Sequence, residues 1–272
     1  MQNASRITII GAGNIGVAIA NGLAASGRFR AEDIILTRRR VEHLEEMKTR
    51  GFKVELSNRA AVKPSDVIII AVEPRQIDPV LDEIAPDLVA GRHIVISVVT
   101  GVSTRQIARR LGAGVAVVRA MPNTAIAVRE SMTCLASDER EGAGIAAARS
   151  VFDAVGTTMV IDESGMIAAT ALGACGIAFF LRAIRAASQG GIEIGFHSRE
   201  ALAIAAQTAR GAATLLLNGA NHPESEIDQV TTPRGCTIAG LNQMEHEGFS
   251  SAMIKGITTS AAIASKLYTG SE

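Results

Sequence analysis

The first half of the chain alternates short apolar runs with segments in which apolar residues recur every three or four positions. Such runs predict strands buried on both faces, and the periodic segments predict amphipathic helices, a pattern typical of βαβ units and a parallel sheet. The predicted strands are residues 7–10, 33–36, 54–56, 66–72, 93–98, 115–119, 131–136 and 157–161. The predicted helices are one carrying residues 17–23, then 41–50, 76–89, 103–110 and 143–154.

From Ser164 onward the strand pattern stops and only helices are predicted. They cover residues 164–187, ended by Gly190-Gly191; 198–218, with Ser198 as N-cap and Gly219 at the end; and 236–246 and 250–267. The sequence therefore predicts an α/β fold: a Rossmann-type, doubly wound parallel sheet followed by an all-helical dimerisation domain. We predict two domains, one of residues 1–162 and one of residues 163–272.

Residues 164–181 contain no charged side chain and reach the length of a membrane span. Their alanine and glycine content, with Arg182 and Arg185 directly after them, favours burial in a helical or subunit core instead. A helix that is apolar all round must be covered. We therefore predict a homodimer, or a higher oligomer of dimers, built through the helical half, with a compact monomer as the alternative.

The charges balance, with 27 Lys and Arg against 27 Asp and Glu, so no overall field favours nucleic acid or an anionic membrane as a partner. Cys134, Cys175 and Cys236 are odd in number and lie in no C-x-x-C pattern, which indicates reduced thiols in the cytoplasm. The chain enters its first strand without a charged leader, which agrees with that location. The five histidines show no metal-ligand spacing, so no metal site is predicted.

A G-x-G-x-x-G motif follows the first predicted strand and opens a helix. Its first glycine makes a tight turn, its second lets the backbone approach a pyrophosphate, and its third lets helix pack on strand. The helix N-terminus offers amide groups to the phosphates. A structural glycine turn is the alternative, but this context predicts a dinucleotide site containing Gly11, Gly13, Asn14, Ile15 and Gly16, with Ala71 and Val72 after the fourth strand.

The residues at the end of the second predicted strand distinguish a site for NAD from a site for NADP. An acidic residue usually stands there to bind the ribose hydroxyls, whereas this chain has Thr37 followed by Arg38, Arg39 and Arg40. Guanidinium groups suit a 2′-phosphate, and cations at the start of a helix otherwise oppose its dipole. The sequence predicts NADP as cofactor, with NADPH preferred and NADH possible; a solvated basic helix start is the alternative.

Two further stretches carry candidate chemistry. Residues 119–124 (RAMPNT) follow a strand at the edge where open α/β sheets place ligands, although a Pro-Asn turn is the alternative. Residues 230–241 (VTTPRGCTIAGL) form a turn that leads into a helix. Free amides at Gly235, Cys236 and Thr237 are expected to bind a carboxylate. Considered alone, Thr237 favours the role of an N-cap over that of a catalyst.

Together these stretches resemble the pyrroline-5-carboxylate reductase family, along with SNRAAVKPSDVIIIAVEP and RAMPNTAIAVRESMT. The motifs occur in the family's order and spacing from Ile7 to about Leu267. The resemblance implies NAD(P)H-dependent reduction of 1-pyrroline-5-carboxylate to L-proline, the last step of proline synthesis, with a helical domain that joins two subunits. The alternatives are an imine reductase for another cyclic imine and a nucleotide-binding sensor without turnover.

The resemblance also assigns roles to residues. It implies that the loop of Thr232, Gly235, Cys236 and Thr237 holds the substrate carboxylate, and that Thr237 hydrogen-bonds the ring nitrogen. It puts Asn58 near the adenosine and Met121 and Asn123 near the nicotinamide. The chain departs from the family's usual residues at Glu73 (lysine), Ala125 (proline), Arg234 (glycine) and residues 173–177 (S-G-S-G-P), which bears on substrate size and cofactor preference.

Overall fold

The structure is a computed structural model, and it describes residues 6–268. Eight strands form one sheet in the order β3-β2-β1-β4-β5-β6-β7-β8. All neighbours run parallel except β6 and β7, which are antiparallel, so the last two strands point opposite to the first six. The strands are β1 (Ile7–Ile10), β2 (Ile34–Thr37), β3 (Lys53–Glu55), β4 (Val67–Ile70), β5 (Ile94–Ser97), β6 (Ala116–Met121), β7 (Ser131–Ala136) and β8 (Gly156–Val160).

Helices cover both faces of this sheet, because the strand side chains alternate between two apolar clusters. Ile7, Ile9 and Ile69 pack with α1 and α6, whereas Ile10 and Ile70 pack with α4 and α5. The helices of this part are α1 (Asn14–Ala25), α2 (Glu45–Thr49), α3 (Asn58–Val62), α4 (Ile77–Ile84), α5 (Thr104–Leu111) and α6 (Ala143–Phe152). The arrangement is the predicted Rossmann-type, doubly wound architecture.

Two predicted helices of this part are shorter than expected. Residues 41–44 form a 3₁₀ turn before α2, and 85–87 form another after α4. Pro86 lies in the second turn, where its ring cannot continue an α-helix. The five-residue helix α3, capped by the Ser57 hydroxyl, was not predicted.

The rest of the chain is helical, as predicted. It contains α7 (Met166–Ala169), a π-helical turn (Thr170–Ala174), α8 (Gly176–Glu193), α9 (Ser198–Asn218), α10 (Pro223–Val230), α11 (Cys236–His246) and α12 (Phe249–Ala264). Helix α10, with its proline at the first position, was missed by the sequence pattern. The N-cap of α9 is His197 and not Ser198, which is the first helical residue.

The prediction that Gly190-Gly191 ends a helix was wrong, because α8 continues through both glycines to Glu193. A Cβ atom on Gly191 would stand 3.1 Å from the Cβ of Ala201, so this glycine lets α8 pack closely on α9. The chain turns at Gly195 instead, whose φ of +113° lies in the region that favours glycine.

Internal contacts divide the chain into two compact units. Among the described residues, one contains 6–175 together with 260–268, and the other contains Gly176–Thr259. The predicted boundary between residues 162 and 163 stays a prediction.

Candidate functional site

The glycine loop after β1 has the backbone that the motif predicts. Gly11 has a φ of +91°, and a Cβ atom there would stand 2.7 Å from the carbonyl oxygen of Ala71. A Cβ on Gly16 would stand 2.7 Å from the carbonyl oxygen of Gly11 and 3.2 Å from Cγ2 of Ile9. Both glycines are therefore required by close packing, Gly11 against the end of β4 and Gly16 between α1 and β1.

Gly13 and the first turn of α1 are open to a ligand. Apart from Gly13 itself and its two chain neighbours, no described residue has a heavy atom within 4 Å of a Cβ placed on Gly13. Helix α1 has no capping side chain and no acidic residue in its first turn, where Asn14, Ile15 and Gly16 stand. The first-turn amides of a helix lack partners within the helix, so they can bind a phosphate anion here.

A cleft of about 890 Å³ lies at the carboxyl ends of β1, β2 and β4. It brings together eight of the residues predicted to bind the cofactor: Gly11, Gly13, Thr37, Arg38, Arg39, Asn58, Ala71 and Val72. Arg40 and Glu73, both noted in the sequence for their charges, line it as well. The residues that sequence reasoning did not include are Ile10, Arg75, Gln76, Pro79, Val80 and Glu83. Only their place in the sequence could have indicated these residues, since most of them follow β4 at the same edge of the sheet.

The basic wall of the cleft is available for an anionic group. Arg38 is half-buried, and Arg39 and Arg40 are exposed. Within residues 6–268, no carboxylate lies within 4.0 Å of these three guanidinium groups. Glu73, the reversed charge noted in the sequence, pairs with Arg75 at 2.8 Å.

Thr37 is buried, and its hydroxyl donates a hydrogen bond of 2.6 Å to Oδ1 of Asn58. The Asn58 amide in turn donates to Oε2 of Glu83 at 2.8 Å. The Thr37 hydroxyl therefore orients Asn58 in the cleft, and the arginines, not this hydroxyl, supply donors for a phosphate.

Met121 and Asn123 lie outside this cleft, at the end of β6. Asn123 accepts a hydrogen bond from the backbone amide of Ala125 at 3.0 Å and donates one to the carbonyl oxygen of Gly173 at 3.3 Å. Proline at position 125 would have no amide to donate, so Ala125 adds a bond that fixes the Asn123 side chain. Met121 is buried with Met166, and Cys134 packs against them, where burial raises the pKa of its thiol.

The loop before α11 is a turn closed by the Gly235 amide, which donates to the carbonyl oxygen of Thr232 at 2.9 Å. The prediction of a free amide at Gly235 was therefore wrong, although the amides of Cys236 and Thr237 belong to the unpaired first turn of α11. Pro233 and Arg234 occupy the central positions, and Arg234 has a φ of +61°, as a type II turn requires. Arg234 therefore adopts a backbone conformation that favours glycine, which is the usual residue at this position in the family that the sequence resembles.

Thr237 is the second residue of α11, and Gly235 is its N-cap, so the interpretation of Thr237 as an N-cap was wrong. Within the described part of the chain its hydroxyl makes no side-chain hydrogen bond, and the residue is half-buried. This hydroxyl stands beside unpaired helix amides, an arrangement that can bind a carboxylate and orient an adjacent polar atom. A second cleft, of about 830 Å³ on α9 and α10, contains none of the predicted site residues.

Comparison with known families gives two matches. Residues 163–267 match the family model "Pyrroline-5-carboxylate reductase dimerisation", and residues 6–101 match "NADP oxidoreductase coenzyme F420-dependent". The first match contains the helical run Glu163–Glu193, which has the length and composition of a membrane span; only 17% of its most apolar window is buried within one chain.

Individual proteins match over nearly the whole chain. Pyrroline-5-carboxylate reductase 2 of Dictyostelium discoideum is 46% identical over 98% of this chain and 94% of its own length. Pyrroline-5-carboxylate reductase 1 of the same organism is 52% identical over 97% of this chain, which spans about half of that relative's length (50%). The structure of a pyrroline-5-carboxylate reductase from Coxiella burnetii is 30% identical with a TM-score of 0.87, covering 98% of this chain and 100% of that one.

Proposed function

The chain belongs to the pyrroline-5-carboxylate reductase family, and we propose that it reduces 1-pyrroline-5-carboxylate to L-proline with NADPH, the last step of proline synthesis. The observation that carries the proposal is the 46% identity over 98% of this chain and 94% of a curated relative. The glycine loop, the basic cleft and the loop before α11 support it, because they supply the parts that such a reaction needs.

The residues of the cleft suit NADPH. The first turn of α1 and the open face of Gly13 suit the pyrophosphate, and Arg38 and Arg39 suit a 2′-phosphate because no described carboxylate neutralises them. Asn58, oriented by Thr37, suits the adenosine side. When bound, NADPH supplies a hydride to the imine carbon.

In the proposed substrate site, groups of the chain orient the substrate and stabilise its reacting ring. The amides of Cys236 and Thr237 are proposed to hold the carboxylate, with Gly235 required because any side chain there would collide with the Thr232 hydroxyl. The Thr237 hydroxyl is proposed to hydrogen-bond the ring nitrogen as it gains electron density. Because an aliphatic hydroxyl is a poor acid, water supplies the final proton, and the protein contributes orientation.

The test is NADPH oxidation, followed at the nicotinamide absorbance, with 1-pyrroline-5-carboxylate and with its six-membered-ring homologue as separate substrates. We expect turnover with the five-membered ring at a kcat/KM at least about tenfold above the other, as expected for a pocket that discriminates one methylene. Faster turnover of the larger ring would assign the chain to another cyclic imine. NADPH binding without turnover of either would indicate a nucleotide sensor.

We further propose a homodimer, or an oligomer of dimers, assembled through residues 163–267 in the cytoplasm. The match to a dimerisation family supports homo-oligomerisation. The exposed apolar side chains of α8 and α9 support this choice of surface, among them Phe180, Leu181, Leu202 and Leu215. Cys134, Cys175 and Cys236 are all free thiols, which suits a reducing compartment.

A further inference from the structure

One ion pair stands apart from the others of the described residues because its cation is buried. Only 6% of the Arg119 side chain is exposed, and its Nη1 lies 2.8 Å from Oε1 of Glu163. The same carboxylate oxygen accepts a hydrogen bond of 3.3 Å from the backbone amide of Thr104. One oxygen atom thus joins β6, the start of α5 and the start of the helical run that contains α7.

This pair is poorly designed for stability alone. Removing two charges from water is costly, and the cost is offset only when the remaining donors and acceptors are satisfied. Here the Nε of Arg119 and the Oε2 of Glu163 are buried without a hydrogen-bond partner among the described residues. Because apolar residues often replace such pairs without loss of stability, a different role is the better explanation.

The helical run that begins at Glu163 is attached to the end of β6 a second time. The side-chain amide of Asn123 donates to the carbonyl oxygen of Gly173, which lies in the π-helical turn. Between the two attachments, Met166 packs in one buried cluster with Met121. The run is therefore fixed to β6 at its first turn, at α7 and at the π-turn.

The π-turn is a rare element, and it lies against Asn123 at the ligand-binding edge of the sheet. Its bonding is local, with the Cys175 amide donating to the carbonyl oxygen of Thr170 at 2.8 Å. Turns of this type occur mostly as single insertions in α-helices and are frequent at functional sites. The residue that touches it, Asn123, lies just beyond the carboxyl end of β6, the edge of the sheet where α/β proteins bind ligands.

We propose that Arg119 and Glu163 are positioning residues, whose ion pair fixes the start of this helical run so that the π-turn stays against Asn123 at the ligand-binding edge of the sheet. The proposal rests on the proposed function, because its effect on rate presupposes the reductase reaction. Neither side chain is required to touch the substrate or the cofactor. Arg119 and Glu163 act through the position of Asn123 and the Gly173 carbonyl.

The first experiment compares Glu163→Gln with Asp162→Asn. Asp162 is adjacent and its exposed carboxylate pairs with Arg140 at 3.2 Å, so this variant removes a neighbouring charge without touching the buried pair. We expect Glu163→Gln to lower kcat by roughly tenfold to a hundredfold, the range that a misplacement of about 1 Å can cause, with the Kd for NADPH unchanged. We expect Asp162→Asn to match the wild type. A lower melting temperature of Glu163→Gln with unchanged kcat would overturn the proposal.

The second experiment is a double-mutant cycle with Arg119→Met. Each single variant leaves one charge of the pair without its counter-charge, whereas Arg119→Met/Glu163→Gln leaves neither charge, so we expect the double variant to lose no more kcat than the worse single variant. Losses that multiply would show independent roles and overturn the proposal. Should Glu163→Gln not fold, the double variant takes its place in the comparison with Asp162→Asn.

The third readout does not depend on turnover. Hydrogen exchange of the peptide containing residues 166–175 should be faster in Glu163→Gln by about tenfold, since local opening follows the stability of the local contacts, and unchanged in Asp162→Asn. Equal exchange in all three proteins would overturn the proposal. If the wild type fails to reduce 1-pyrroline-5-carboxylate, the proposed function fails, while the exchange result still decides whether the pair holds the π-turn.

Discussion

At the scale of single residues, the two candidate sites depend on groups that the fold leaves unpaired. Thr237 stands in the first turn of α11 with a hydroxyl that bonds to no described side chain, and Arg38 and Arg39 line the cleft without a carboxylate partner among residues 6–268. Each site therefore requires that its hydroxyl or guanidinium groups are not already hydrogen-bonded within the local structure. The sequence motifs predicted these residues, whereas the use of the Gly235 amide within a turn depended on the loop geometry and was not predicted.

For Thr237, we expect Thr237→Ala to lower kcat by about 10²–10³, the usual loss when a transition-state hydrogen-bond donor is removed. Thr237→Ser, which keeps the hydroxyl, should retain much of the activity. Because Gly235 and not Thr237 is the N-cap, the alanine variant should melt close to the wild type. Steady-state kinetics and a thermal melt measure both effects; normal turnover of Thr237→Ala would exclude the proposed role.

For the cofactor, we expect Arg38→Ala or Arg39→Ala to weaken NADPH binding by about tenfold to a hundredfold, since a hydrogen bond to a charged group contributes about 1.5–3 kcal/mol. NADH binding should barely change, because NADH lacks the 2′-phosphate. Arg28→Ala, an exposed arginine outside the cleft, serves as the control. Titrations of both nucleotides decide the matter, and equal losses for NADPH and NADH would remove the assignment.

At the scale of elements, the α/β half was predictable to within a few residues because most of its strands are short runs rich in apolar residues, separated by amphipathic helices. The pattern failed where length or composition weakened it. Helix α3 has only five residues and α10 is short and mostly polar, and the glycine pair in α8 resembles a helix end when the packing partner is unknown. The close approach of Gly191 to Ala201 is a tertiary contact, which a local sequence pattern cannot predict.

The adjacent glycines of α8, Gly190 and Gly191, should respond oppositely to substitution. Gly191→Val should destabilise the protein by about 1–3 kcal/mol, because its side chain overpacks the contact with Ala201. Beyond the backbone of α8 itself and the two chain neighbours of Gly190, no described heavy atom lies within 4 Å of a Cβ placed on Gly190, so Gly190→Ala should stabilise by about 0.5–1 kcal/mol through helix propensity alone. Denaturant unfolding of both variants measures this; similar shifts in the same direction would contradict the close packing.

At the scale of the whole molecule, the helical half exposes apolar side chains that a single chain leaves uncovered. Phe180 and Leu181 are each 58% exposed in α8, within the segment that matches the dimerisation family. The sequence predicted this need for a partner from the charge-free stretch of residues 164–181. The ion pair between the buried Arg119 and Glu163 could not be predicted, because residues 44 positions apart carry no shared pattern.

We expect Phe180→Lys or Leu181→Lys to weaken assembly and reduce soluble yield, because a lysine would enter an apolar interface. Leu56→Lys is the matched control, since Leu56 is 78% exposed but lies just after β3, outside the helical half. Analytical ultracentrifugation at micromolar concentration gives the answer. An active monomer for the wild type, or equal dissociation in the control, would refute the proposed interface.

The central claim is that this chain transfers a hydride from NADPH to the imine carbon of 1-pyrroline-5-carboxylate. The most direct measurement supplies NADPH deuterated at both C4 positions of the nicotinamide and examines the product by mass spectrometry. We predict L-proline heavier by the added deuterium, with the label on the ring carbon that formed the imine. Oxidation of the cofactor without labelled proline, or no reaction with this substrate, would contradict the account.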